Sequence, residues 1–107
     1  MFNIFFKKKE SDLNGEQFKT QYTADKGNVL LDVRTVGEYQ SGSIKGAKSM
    51  DVMARDFINK MEKLDKAKTY YVYCRSGNRS GNAVSMLEKS GFKAYNLVGG
   101  ISAYPNH

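Results

Sequence analysis

The sequence predicts an α/β fold, a mostly parallel sheet covered by helices on both faces in a three-layer α/β/α arrangement. Three observations carry that prediction. Strand-like and helix-like segments alternate along nearly the whole chain. The run Val29-Leu30-Leu31-Asp32-Val33 is apolar without alternation, the pattern of a strand buried on both faces. The only cysteine, Cys74, stands where a strand-like run meets a loop and then a helix. Sheets of this kind build their sites beyond the carboxyl ends of the strands.

The first ten residues form a separate problem. Met1-Phe2-Asn3-Ile4-Phe5-Phe6 is apolar and Lys7-Lys8-Lys9 follows it. The apolar part is too short for a signal peptide, the charges lie on its wrong side, and it is far too short to span a bilayer. Residues 1–10 are read as a short lead-in, and residues 11–107 as one domain.

The elements follow in order. A helix starts near Leu13-Asn14-Gly15-Glu16-Gln17-Phe18, where Asn14 caps, Gln17 sits three residues on and Leu13 staples to Phe18. It runs to about Tyr22, and a polar turn, Ala24 to Asn28, leads into the strand Val29 to Val33. Thr35-Val36-Gly37-Glu38 has the capping-box pattern of a short helix. Gly42 and Gly46 bracket a turn, and Ala47 to Met50 is a short strand. Met53, Phe57, Met61 and Leu64 recur at helical spacing, so Val52 to Leu64 is an amphipathic helix with its methionines in the core. Thr69 to Tyr73 is the strand before Cys74. Ser80 to Ser90 is a helix with Ala83, Val84 and Leu87 inward and Gly91 just past its end. Lys93 to Leu97 is the last strand, Gly99-Gly100 a tight turn, and Ile101 to Tyr104 a helical stub.

Composition narrows the function classes. A chain of 107 residues supports one domain with a modest core. One cysteine makes no internal disulfide, so the fold does not depend on an oxidising compartment, and a cytoplasmic location is expected. One cysteine and one histidine, His107, do not make a metal site of the nitrogen and sulfur kind, and no cofactor is expected. The 17 basic and 11 acidic residues give a net charge of +6. The lysines are scattered apart from Lys7-Lys8-Lys9, which argues against nucleic acid and suits small anions. A monomer is expected.

Chemistry concentrates at Cys74-Arg75-Ser76-Gly77-Asn78-Arg79-Ser80. A strand–loop–helix unit points backbone N–H groups into its loop. Arg75 and Arg79 add positive charge. Both effects favour the thiolate, which is the nucleophile. Ser76, Gly77 and Asn78 act through backbone N–H groups, with Gly77 admitting positive φ. Ser80 serves as a helix N-cap or a substrate contact. Asp32 and Arg34 pair to pin strand ends, Glu38 closes its capping box, and Asn96 with Gly99-Gly100 shapes a neighbouring wall.

Taken together and in order, these segments resemble the rhodanese-like domain. The resemblance rests on Leu31-Asp32-Val33-Arg34 with Glu38-Tyr39, Gly42-Ser43-Ile44-Lys45-Gly46-Ala47, Tyr73-Cys74-Arg75-Ser76-Gly77-Asn78-Arg79-Ser80 and Leu97-Val98-Gly99-Gly100-Ile101. It spans about Leu13 to Tyr104. It implies a five-stranded parallel sheet with flanking helices. It also implies a sulfurtransferase whose loop cysteine takes a sulfane sulfur from a small anionic donor such as thiosulfate. The resulting persulfide is passed to cyanide, a thiol or a protein acceptor. Ser43 and Lys45 stand where that family's pattern usually has histidine and proline, a change expected to alter the rim and not the chemistry.

On this reading Cys74 is catalytic. Arg75, Ser76, Gly77, Asn78, Arg79 and Ser80 bind substrate, Arg79 at the donor's anionic end. Asp32, Arg34 and Glu38 support the site. Two rivals remain. One is a phosphatase or arsenate reductase of the same fold, whose loop has five residues between cysteine and arginine where this chain has four. The other is a non-catalytic interaction module, for which a reactive thiol has no use.

Overall fold

The computed structural model describes residues 9–106. The expectations for Met1 to Phe6, for Lys7 and Lys8, and for His107 lie outside them. Among the described residues five strands form one sheet: β1 (Asp12–Leu13), β2 (Val29–Asp32), β3 (Lys48–Ser49), β4 (Thr69–Tyr73) and β5 (Lys93–Leu97). Their order is β1-β5-β4-β2-β3, and every pairing is parallel. Four α-helices lie between them: α1 (Gly15–Thr23), α2 (Val36–Ser41), α3 (Phe57–Glu62) and α4 (Asn78–Lys89). A 3₁₀ turn, Ile101–Ala103, follows β5.

The sheet splits the core into two layers, and β4 shows how. Tyr70, Val72 and Cys74 join one cluster with Leu31, Val33, Phe57, Met61, Ala83, Val84 and Leu87, under α3 and α4. Tyr71 and Tyr73 join the other with Leu30, Phe18, Ile44, Leu97 and Tyr104, under α1. Alternate residues of a strand face opposite sides. The two-sided burial expected of Val29 to Val33 is therefore met by Leu30 on one face and Leu31 on the other.

Both capping boxes form. Asn14 accepts from the Gln17 N–H while the Gln17 side chain accepts from the Asn14 N–H, and Thr35 and Glu38 do the same for α2. Three elements depart most from expectation. The helix expected over Val52 to Leu64 is only α3, because Asp51 Oδ1 takes the Met53 N–H at 2.8 Å and holds the chain in turns. Met53 is consequently 74% exposed instead of packed in the core. Helix α4 begins two residues earlier than expected, at Asn78, with Gly77 at its N-cap in the left-handed region (φ 100°). Ser80 lies inside the first turn and is not the cap. The two-residue β1 has no periodicity to reveal it. It exists because Ser11 and Leu13 carbonyls accept from the Asn96 and Val98 N–H groups at 2.7 and 2.9 Å.

Candidate active site

The register aligns Asp32 with Tyr73, so β2 and β4 end side by side and Cys74 follows at their carboxyl edge. Asp32 is fully buried and saturated. Arg34 Nε lies 3.0 Å from its Oδ1, Arg34 Nη2 lies 2.7 Å from its Oδ2, and the Tyr73 hydroxyl donates to Oδ2 at 2.8 Å. The same Arg34 nitrogen donates to the Gly42 carbonyl at 2.6 Å, and the Ile44 N–H donates to the Tyr73 hydroxyl at 3.0 Å. This network ties the Gly42–Gly46 turn to the end of the strand carrying Cys74. Ile44 is buried within that turn while Ser43 and Lys45 are exposed on its outside.

Cys74 closes the floor of the loop. Its Sγ receives the Gly77 N–H at 3.0 Å, and Ser80 Oγ stands 3.3 Å away. Burial pushes the thiol up. The Ser80 hydroxyl and the N–H groups of Ser80, Gly77 and Ser76 outweigh it, and the net shift is downward from an ordinary thiol. The loop is backed by the segment after β5: the Ile101 N–H donates to the Cys74 carbonyl at 2.9 Å. Gly100 (φ 79°) lies so close beneath the loop that a Cβ there would overlap the Arg75 carbonyl.

The two arginines have different settings. Arg79 forms a bidentate pair with Glu38, Nη1 to Oε1 at 2.8 Å and Nη2 to Oε2 at 3.0 Å. That pair, reinforced by the Thr35 N–H and opposed by some burial, lowers the Glu38 carboxyl to about 2. Glu38 thus does two jobs, capping α2 and bracing α4. The Arg79 guanidinium, expected at the donor's anionic end, is turned to this carboxylate. Arg75 is exposed at the loop mouth and joins no ion pair among the described residues. Asn78 is exposed at the first position of α4.

Sequence reasoning did not find the partners of Ser80. Asn96, 5% exposed on β5, presents its Oδ1 to Ser80 Oγ at 2.5 Å. Its Nδ2 donates to Asp12 Oδ1 at 3.0 Å and to the Gly77 carbonyl at 3.3 Å. A polar residue at the buried end of a strand, next to Leu97, is the available signal.

The sequence from residue 15 to residue 107 matches the family model described as a rhodanese-like domain. The chain belongs to the rhodanese-like domain family. A protein named sulfurtransferase from Allochromatium vinosum is 36% identical over 90 residues, covering 82% of each chain. A tRNA uridine(34) hydroxylase from Pelagibacter ubique is 40% identical over 82 residues, but the match covers 75% of this chain and only 27% of that protein. Among solved structures, the rhodanese-like domain protein from Staphylococcus aureus superposes with a TM-score of 0.78 at 28% identity, covering 91% of this chain and 93% of that one. The all-parallel five-stranded sheet implied by the resemblance is thus shared with solved rhodanese-like domains.

Proposed function

We propose that this rhodanese-like domain is a sulfurtransferase that carries sulfane sulfur as a persulfide on Cys74. The observation that carries the reading is the set of donors converging on one sulfur: the N–H of Gly77 at 3.0 Å, the Ser80 hydroxyl at 3.3 Å, and the N–H groups of Ser76 and Ser80. Such donors stabilise a sulfur anion without a histidine base. The relative named sulfurtransferase supports the same reading over most of both chains. The hydroxylase name belongs to a protein of which this chain matches about a quarter, so it lends the domain and not the hydroxylation.

In the proposed reaction the Cys74 thiolate attacks the outer sulfur of thiosulfate or a similar sulfane donor. A new S–S bond forms, the donor's S–S bond breaks, and its electron pair departs with sulfite. The negative charge passes to the terminal sulfur, which rests among the loop N–H groups until an acceptor thiolate or cyanide removes it. Arg75, exposed at the mouth, attracts the dianionic donor, while Arg79 acts through its brace to Glu38. Cys74 has no open surface, so loading requires the loop around it to open. No helix among the described residues is long and apolar enough to cross a membrane.

Parallel steady-state assays test the proposal. Thiosulfate-dependent sulfur transfer is expected, with negligible hydrolysis of aryl phosphates, because a loop with four residues between Cys74 and Arg79 suits one sulfur atom better than a phosphoryl group. Efficient phosphatase activity without sulfur transfer would favour the oxyanion-hydrolysing rival. Neither activity would favour an interaction module.

A further inference from the structure

The Ser80 hydroxyl has one proton and two neighbours that want it. Cys74 Sγ lies at 3.3 Å and Asn96 Oδ1 at 2.5 Å. Ser80 is 0% exposed, so water does not supply a third partner. The orientation of Asn96 is fixed by its other side. Asp12 Oδ1 and the Gly77 carbonyl are acceptors, so the amide must turn its NH₂ to them and its oxygen to Ser80. Asp12 is itself held opposite Asn96 by the β1–β5 register. Asn96 therefore always offers Ser80 an acceptor, whatever the state of the cysteine.

We infer that Asn96, held in place by Asp12, is a positioning residue that takes the Ser80 hydrogen bond when Cys74 is loaded with sulfur and yields it when the thiolate is free. The inference rests on the sulfurtransferase reading. As a free thiolate, Sγ carries a full negative charge and competes well for the proton. Loading changes that. Once Sγ has formed its bond to the transferred sulfur, the charge lies on the terminal sulfur and Sγ becomes a neutral, weak acceptor. The hydroxyl then turns to Asn96 Oδ1, and no buried donor is left without a partner. Discharge of the terminal sulfur to an acceptor returns the charge to Sγ and the hydroxyl with it. The bond from Asn96 to the Gly77 carbonyl links this exchange to the loop residue whose N–H also meets Sγ. The other ionisable groups at this end of the sheet are Asp32, Arg34, Glu38, Asp51, Tyr73, Arg75 and Arg79, and Lys9 lines the same cleft as Asp12 and Asn96. Among the described residues none of these except Asp12 hydrogen-bonds Ser80 or Asn96.

The test is a double-mutant cycle on the full chain with wild type, Ser80→Ala, Asn96→Ala and the double variant. Each is loaded with thiosulfate, the donor is removed, and persulfide decay is followed by intact mass. Iodoacetamide alkylation against pH reports the free thiol. Asn96→Ala is expected to shorten the lifetime of the persulfide by about 3- to 10-fold, the worth of one hydrogen bond. It should do so with Ser80 present and not in the Ser80→Ala background. The alkylation midpoint should rise in Ser80→Ala and not in Asn96→Ala. An Asn96→Ala effect of equal size in both backgrounds, or none in either, overturns the inference while leaving the sulfurtransferase reading intact. If Asn96→Ala does not fold, Asp12→Ala releases the amide from its far side and must show the same Ser80-dependence; no such dependence overturns the inference. Wild type that takes up no sulfur overturns both readings.

Discussion

At Cys74 two opposing effects meet on one atom: burial disfavours the anion, and converging donors favour it. The donors prevail, and they are the Ser80 hydroxyl and backbone N–H groups ahead of the arginines that the sequence places in the loop. Arg79's charge is compensated by Glu38 at 2.8 Å, and Arg75 points outward. A lowered thiol is deprotonated at lower pH than an ordinary one, so reactivity should persist further into acid. Alkylation by iodoacetamide is expected to show a midpoint below the ordinary thiol value of about 8.5. Its plateau rate should be slower than that of an exposed thiolate, and slower still with bulkier reagents, because Cys74 is fully buried. A midpoint at or above the ordinary value would contradict the donor arrangement.

Between elements, the site depends on two braces. The first is the Glu38–Arg79 pair joining α2 to α4. If Arg79 acts by holding the loop, Arg79→Ala and Glu38→Gln should lower sulfur transfer by similar factors, on the order of 10-fold to 10²-fold for a displaced reacting atom. The double variant should be no worse than either single one. A large loss in Arg79→Ala beside wild-type turnover in Glu38→Gln would instead put Arg79 on the donor. The pair also has a pH signature. Its carboxyl sits at about 2 in the folded chain, below the usual 4.5, so its stabilisation is present above pH 4.5 and is lost as pH falls towards 2. The melting-temperature gap between wild type and Arg79→Ala should close over that window. The second brace is the close packing of Gly100 under Arg75. Gly100→Ala must push the loop away and also places alanine at positive φ, so a destabilisation of at least about 1–3 kcal/mol is expected, with loss of persulfide formation. Chemical denaturation beside a turnover assay measures both.

Across the whole molecule, the alternation of elements was enough to specify a mostly parallel sheet with its site beyond the carboxyl ends of the strands, because local hydrophobic pattern and capping boxes report directly on strands and helix starts. What escaped was non-local. Strand β1 is made by pairing with β5; Met53 is the local exception, drawn out of a helical pattern by the side chain of Asp51 two residues before it. The partners of Ser80 and Arg79 lie 16 and 41 residues away in sequence, and only the fold brings them together. The loop composition announced a reactive thiol; the identity of the groups that hold it needed the assembled sheet. The proposed role of this assembly is to keep one sulfur atom on Cys74. Intact mass after incubation with thiosulfate and removal of the donor tests it most directly, with Cys74→Ser as control. Wild type should gain the mass of one sulfur atom, cyanide should remove it, and Cys74→Ser should gain nothing. Unmodified wild type, or equal uptake by Cys74→Ser, would rule out a persulfide carried on Cys74.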